Sequence, residues 1–259
     1  MAGATRPEDG TIGRVKIDAG IHRLGSGLVN AYLVADGGGV TIIDAGLPGY
    51  WSALLAELAA MGRSLADVRA VVLTHGHSDH IGFAERARKE RGVPVSVHEL
   101  DALLAQGKVP NPARGVGPIR PLPLLRFIAM AMRHGGWHVY RLGEVATFGD
   151  GATLDVPGSP RVVLVPGHTP GSAALHLADR EVLFVGDAIA TVAVTTGITG
   201  PQVAPFTADA ARAVASLDRL EGIEARWILP GHGEPWTGGT AAAVAAVRES
   251  AAAAANGRR

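Results

Sequence analysis

The run Thr74-His75-Gly76-His77-Ser78-Asp79-His80 directly follows the apolar stretch Val71-Val72-Leu73 and crowds three imidazoles and a carboxylate into six positions. Four such groups packed together without a common partner would cost folding free energy, so the run reads as a metal loop at the end of a strand. Nitrogen and oxygen donors without a thiolate suit zinc, iron, manganese or cobalt, and they suit chemistry better than structural stapling. Glycine and serine between the donors indicate a turn. In such a turn His75 and His77 can converge on one ion, while Asp79 and His80 point elsewhere and can hold a second.

Three later segments share this local design of an apolar run ending in a glycine beside a donor. Val162-Val163-Leu164-Val165 leads into Pro166-Gly167-His168, Val182-Leu183-Phe184-Val185 into Gly186-Asp187, and Trp227-Ile228-Leu229 into Pro230-Gly231-His232. Loops that leave the carboxyl ends of strands share one edge of an α/β sheet, so donors presented there can meet in one cleft. Proline ends each run, or glycine permits the tight turn.

The ordered set His75, His77, Asp79, His80, His168, Asp187 and His232 resembles the metallo-β-lactamase fold hydrolases that hold two metals, over a stretch from about Ile17 to Trp236. The resemblance implies that His75, His77 and His168 hold one ion and Asp79, His80 and His232 the other, with Asp187 bridging them together with a water or hydroxide. It implies two divalent metal ions, zinc first, with iron or manganese as alternatives. It makes Asp44, in Thr41-Ile42-Ile43-Asp44-Ala45-Gly46, an acceptor that orients the histidine loop from behind. It also implies an α+β fold, a four-layer αβ/βα sandwich. The residues alone give only α/β or α+β: strands near 29–34, 40–43, 71–73, 95–97, 152–154, 161–165, 173–177, 181–185 and 226–229, with helices over 51–61, 81–91 and 240–255 and another capped near Thr207.

One domain is expected over residues 14–259, since this length is at the upper end for a single core and no long polar linker interrupts it. Equal numbers of basic and acidic residues, 24 and 24, argue against a nucleic-acid surface. The chain has no cysteine, so disulfides are excluded. The first ten residues carry Glu8 and Asp9 and no apolar core, unlike a secretory signal, and a cytoplasmic location is expected. The longest apolar stretch, Leu122 to Met132, contains Pro123 and Arg126 and is too short to span a bilayer.

That stretch belongs to a proline-rich insertion at about 106–137, the least family-typical part of the chain. It reads either as a short helix walling an apolar substrate pocket or as a helix packed on the core or at a contact in a homodimer. His134 and His138 flank Gly135-Gly136-Trp137 and read more readily as solvated loop residues than as substrate contacts. His22, His98 and His176 match no ligand loop, and Tyr32, Tyr50 and Tyr140 carry no assigned role.

The chemistry implied is hydrolysis of a small-molecule ester, lactone, thioester or amide, with Asp79 both ligand and proton carrier. Asp187 resembles the lactonases and hydroxyacylglutathione hydrolases more than true β-lactamases, which place cysteine or serine there. Ala190 replaces the tyrosine that quorum-signal lactonases carry three residues beyond the bridging aspartate. Two other classes share the fold: mononuclear iron dioxygenases of persulfides, and binding proteins that keep the metal and have lost turnover. Metal content and oxygen consumption discriminate among them.

Overall fold

The computed structural model describes residues 12–113, 117–137 and 141–256. The first half of the chain lays down a seven-stranded sheet in sequence order. Its meander, β1 (Gly13–Asp18), β2 (Ile21–Gly25), β3 (Asn30–Asp36) and β4 (Gly39–Ile43), pairs antiparallel through tight turns. From β4 onward the sheet is parallel: β5 (Val68–Val72), β6 (Val95–His98) and β7 (Ala146–Phe148) follow in turn. Parallel neighbours need long crossovers. Here α1 (Trp51–Ala60) precedes β5, and α2 (Ser78–Ile81) with α3 (Ala84–Arg91) precedes β6; α4 (Ala102–Ala105) and α5 (Pro121–Arg133) lie before β7.

The second half forms the antiparallel meander β8 (Arg161–Leu164), β9 (Ala173–Leu177) and β10 (Val182–Gly186). A small hairpin, β11 (Ala190–Val192) and β12 (Thr199–Gln202), and helix α6 (Ala210–Ser216) come next. Then β13 (Trp227–Pro230) returns parallel to β10, and α7 (Thr240–Asn256) closes the described chain.

Alternation along the strands assigns their faces to separate cores. Tyr32, Val34, Ile43 and Val72 from the first sheet meet Val162, Leu175, Phe184 and Leu229 from the second, and the rings of Tyr32 and Phe184 make an edge contact at 5.3 Å. Leu33, Ile42 and Val71 point the other way, onto Leu54 and Leu58 of α1 and Ala84 and Ala87 of α3. On the far side, Leu183, Val185 and Ile228 pack against Leu217, Val244 and Val247. Burial of each large apolar side chain contributes roughly 1.5–3 kcal/mol, so these three interfaces order the layers. The outcome is the α+β four-layer αβ/βα sandwich of the metallo-β-lactamase fold.

Several local readings differ. The helix expected over 81–91 starts later, as α3 at Ala84, and is parted from the short α2 by Gly82, whose φ is +20° and where a Cβ would stand 2.1 Å from the Gly46 carbonyl oxygen. The break lets the chain press on the turn after β4, where the Ala45 amide donates to the His80 carbonyl at 2.6 Å. Helix α6 is capped by Asp209, whose Oδ1 accepts from the Arg212 amide at 2.9 Å, and not by Thr207. Residues 152–154 form only an isolated bridge, Thr153 with Arg161. The strands β1, β2, β7, β11 and β12 have no strong apolar run and escape a reading from pattern alone. His138 and Tyr140 lie outside the described residues. Among the described residues no helix is long and apolar enough to cross a membrane.

Candidate metal centre

Strands β4, β5, β8, β10 and β13 all end at the same edge of the sandwich, and each delivers part of one cluster. The loop after β5 carries His75, His77, Asp79 and His80; the loops after β8, β10 and β13 bring His168, Asp187 and His232. The structure gathers all seven into three overlapping groups: His75, His77 and His168; His75, His80 and Asp187; and Asp79, His80 and His232. Within each group the donor atoms lie within 4.8 Å of one another. Asp187 stands between the two ends of the cluster: its Oδ2 is 3.0 Å from His232 Nε2 and 3.3 Å from His168 Nε2, and its Oδ1 is 3.6 Å from His80 Nε2. Gly231 makes room for this packing, because a Cβ there would fall 2.3 Å from Asp187 Oδ1 and 2.5 Å from the His80 ring.

Every histidine of the cluster commits its outward ring nitrogen to the protein. His75 Nδ1 donates to Thr74 Oγ1 at 3.1 Å, His80 Nδ1 to Asp44 Oδ2 at 2.9 Å and His168 Nδ1 to Thr207 Oγ1 at 3.0 Å. His232 Nδ1 donates to the Leu28 carbonyl, and His77 Nε2 to Asn111 Oδ1 at 3.1 Å. The direction follows because each threonine hydroxyl is already a donor, Thr74 to Asp44 and Thr207 to the Ala204 carbonyl, both at 2.8 Å. In the neutral form of each ring the inward nitrogen therefore carries the lone pair. His77 Nδ1 and His168 Nε2 face each other at 2.9 Å, a distance at which two lone pairs need a shared positive partner, a proton or a metal ion. Buried His75 Nε2, His80 Nε2 and Asp187 Oδ1 have no hydrogen-bond partner among the described residues. This donor set fits divalent metal ions.

Electrostatics point the same way. Burial, helped by the neighbouring histidines, holds His75 well below the ordinary imidazole range, and burial outweighs Asp187 to bring His168 down to about 3. Around His80 the balance reverses: burial is outweighed by Asp44, Asp187 and Asp79, and its pKa rises to about 10. His232 follows, with burial outweighed chiefly by Asp187 and a rise to about 8. Burial of Asp187 is overcome by His232, His80 and His168, which hold its carboxyl well below the usual carboxylate range. The carboxylates thus draw positive charge into the cluster, and a bound cation meets the same demand while displacing protons.

Asp44 and Asp101 brace the ligand loops. Asp44 accepts from the Thr74 amide and hydroxyl, both at 2.8 Å, and from His80, so one carboxylate orients ligands at both ends of the histidine loop. Its φ of +58° is one that asparagine also tolerates, which makes Asp44→Asn a clean probe. That variant should fold normally and bind metal about 10–100-fold more weakly, as read by competition with a chelator; unchanged affinity would refute the orienting role. Asp101 shows no signal in the sequence. It is fully buried and accepts from the Gly76 amide at 2.8 Å, the Thr169 hydroxyl at 2.7 Å and the Gly171 amide at 2.6 Å, tying the histidine loop to the His168 loop. Asn30 and Tyr32 of β3 hold the His232 loop through the Pro230 and Gly233 carbonyls.

Among the described residues the remaining histidines stand apart from the ligand groups. His22 pairs with Glu57 at 2.5 Å between β2 and α1, His98 accepts from the Leu100 amide, and His176 lies within β9. His134 sets its ring edge against Tyr50. A cleft of about 210 Å³ opens above the donors, with His77, Asp79, His168, Asp187 and His232 on its floor. Leu47, Pro48, Phe127, Ala131 and Phe206 form apolar walls, so helix α5 of the insertion borders the site, and the Phe127 ring lies 6.4 Å from His232.

The model of the metallo-β-lactamase superfamily matches residues 24–232, a span that includes every donor of the cluster. The chain belongs to that superfamily and is a hydrolase of it. A Bacillus subtilis protein named "probable metallo-hydrolase YflN" is 32% identical over 240 residues, covering 85% of this chain and 86% of its own length. The Bos taurus acyl-coenzyme A thioesterase MBLAC2 is 26% identical over 212 residues, 78% of this chain and 72% of that protein. Among solved structures, TTHA1623 in a di-iron-bound form has 28% identity and a TM-score of 0.57, over 83% of this chain and 92% of that one.

Proposed function

We propose that this superfamily member is a dinuclear metal-dependent hydrolase of a small acyl compound with an apolar portion: an ester, lactone, thioester or amide. The observation that carries the reading is the convergence of seven donors, every imidazole fixed by the protein through its outer nitrogen, at an apolar-walled cleft whose floor five of them form. On this reading His75, His77 and His168 hold one ion, Asp79, His80 and His232 the other, and Asp187 is shared. The pair of ions, when bound, supplies a water made acidic near neutral pH and an electrophile for the substrate carbonyl. Asp79 is the carboxylate of the set with an exposed edge, 23% of its side chain, which suits it to carry a proton on the substrate side. Its carboxyl sits below the usual range because His80 and His232 overcome its burial. Phe127 and Ala131 make the 106–137 insertion a wall of the cleft within a single catalytic domain.

Ala190 is buried in β11 and offers no hydroxyl, so substrate orientation falls to the walls and to Asp79. Likeness to an acyl-coenzyme A thioesterase puts thioesters first in a substrate panel, and the di-iron relative sets iron beside zinc as the candidate metal. Elemental analysis should find two ions per chain, and chelation should lower turnover on that panel by ~10²-fold or more, restored by adding metal back. One iron per chain with oxygen uptake on a persulfide would replace the reading with a dioxygenase. Two bound ions with no turnover across acyl substrates would replace it with a binding protein.

A further inference from the structure

Between Asp101 and Glu144 the chain has no aspartate or glutamate, yet it carries Lys108, Arg114, Arg120, Arg126, Arg133 and Arg141. In a protein whose charges balance overall, this is a local concentration of one sign. At its centre lies α5, a helix with two apolar faces. The inner face sets Met130 in the core and gives Phe127 and Ala131 to the cleft wall. The outer face shows Leu122, Leu125, Ile128 and Met132 to solvent, at 59%, 61%, 45% and 53% exposure. At 100° per residue these four form one band, with Arg126 and Arg133 along its margin. Ile119 and Trp137, 50% and 65% exposed, extend the apolar surface beyond both helix ends.

A band of large exposed aliphatic side chains marks a docking surface, because solvent contact alone gives no reason for it. Charge decides among occupants. A second copy docked through this face about a two-fold axis would bring Arg126 and Arg133 against the same acid-free segment of its partner, which is repulsive. An anionic lipid surface offers both complements at once: phosphates for the arginines and an acyl boundary for the aliphatic band. We infer that the outer face of α5 seats this chain on an anionic phospholipid surface. Docking there stands independently of the hydrolase reading; together they place the cleft, whose wall is the other side of the same helix, where acyl compounds partition into the bilayer.

Flotation of the full-length protein with phosphatidylcholine vesicles, with and without phosphatidylglycerol, tests the inference. The chain should float with the anionic vesicles at least about tenfold more than with the neutral ones, and added salt should release it. Leu125→Glu with Ile128→Glu, or the neutral pair Leu125→Gln with Ile128→Gln, should abolish flotation while melting temperature and metal content stay unchanged, since both side chains are exposed. Arg126→Glu with Arg133→Glu should lower it about tenfold or more. Absence of flotation, equal flotation on neutral vesicles, or full retention in these variants would overturn the inference. So would a dimer in solution that the same variants dissociate, since the face would then belong to a second copy.

Discussion

Asp187→Asn should lower kcat/KM for any hydrolysed substrate by ~10³-fold or more and leave fewer than two ions per chain. The substitution keeps shape and volume and removes one negative charge from the residue whose two oxygens lie within 3.0 to 3.6 Å of His232, His168 and His80. Ligation by an ion is worth several kcal/mol at a charged transition state, and each 1.36 kcal/mol is a factor of ten in rate. The packing around the position is tight: Asp187 is buried, and a Cβ on Gly231 would fall 2.3 Å from its Oδ1. Elemental analysis and steady-state kinetics on the same preparation check the result. A variant that kept two ions and a tenth of the wild-type rate would remove Asp187 from the shared position.

The second large effect is expected on stability. Asp101→Ala leaves the Gly76 amide, the Gly171 amide and the Thr169 hydroxyl without the carboxylate that accepts all three. A hydrogen bond to a charged group contributes about 1.5–3 kcal/mol and such losses are not additive, so the variant should lose roughly 3 kcal/mol. For a chain of this size that is a fall in Tm of about 6–12 °C. Metal affinity should weaken as well, because the same carboxylate ties the His75 and His77 turn to the His168 loop. Thermal unfolding and chelator competition measure the two effects. A shift of less than about 2 °C together with unchanged affinity would show that the loops are held by other contacts.

The seven donors were legible because each lies beside glycine or within a histidine-rich turn directly after an apolar run, a pattern that simple local physics links to strand ends. Asp44 was reached only through the family resemblance. Asp101, Thr74, Thr207 and Asn111 were not, since what marks them is a partner that is unremarkable in sequence: Asp101 reaches residues 25, 68 and 70 positions away. The split at Gly82 likewise depends on the Asp44–Gly46 turn pressing against it, which no helical periodicity reports. The two faces of α5 show the division clearly. Its apolar and cationic content is plain in the chain, but which side faces the cleft and which faces solvent depends on how the insertion is laid across the sandwich.

By itself the amino-acid order determined the donor types, their grouping behind strands and the strand-rich, helix-interleaved character of the chain, because these follow from side-chain chemistry and from period-2 and period-3.6 patterns along a local backbone. Only the tertiary structure decided that β4, β5, β8, β10 and β13 end at one edge, which nitrogen of each histidine faces inward, and what braces each loop. Those are outcomes of packing two sheets against each other and of burying polar groups with partners far along the chain, where free energy depends on contacts that no stretch of sequence contains.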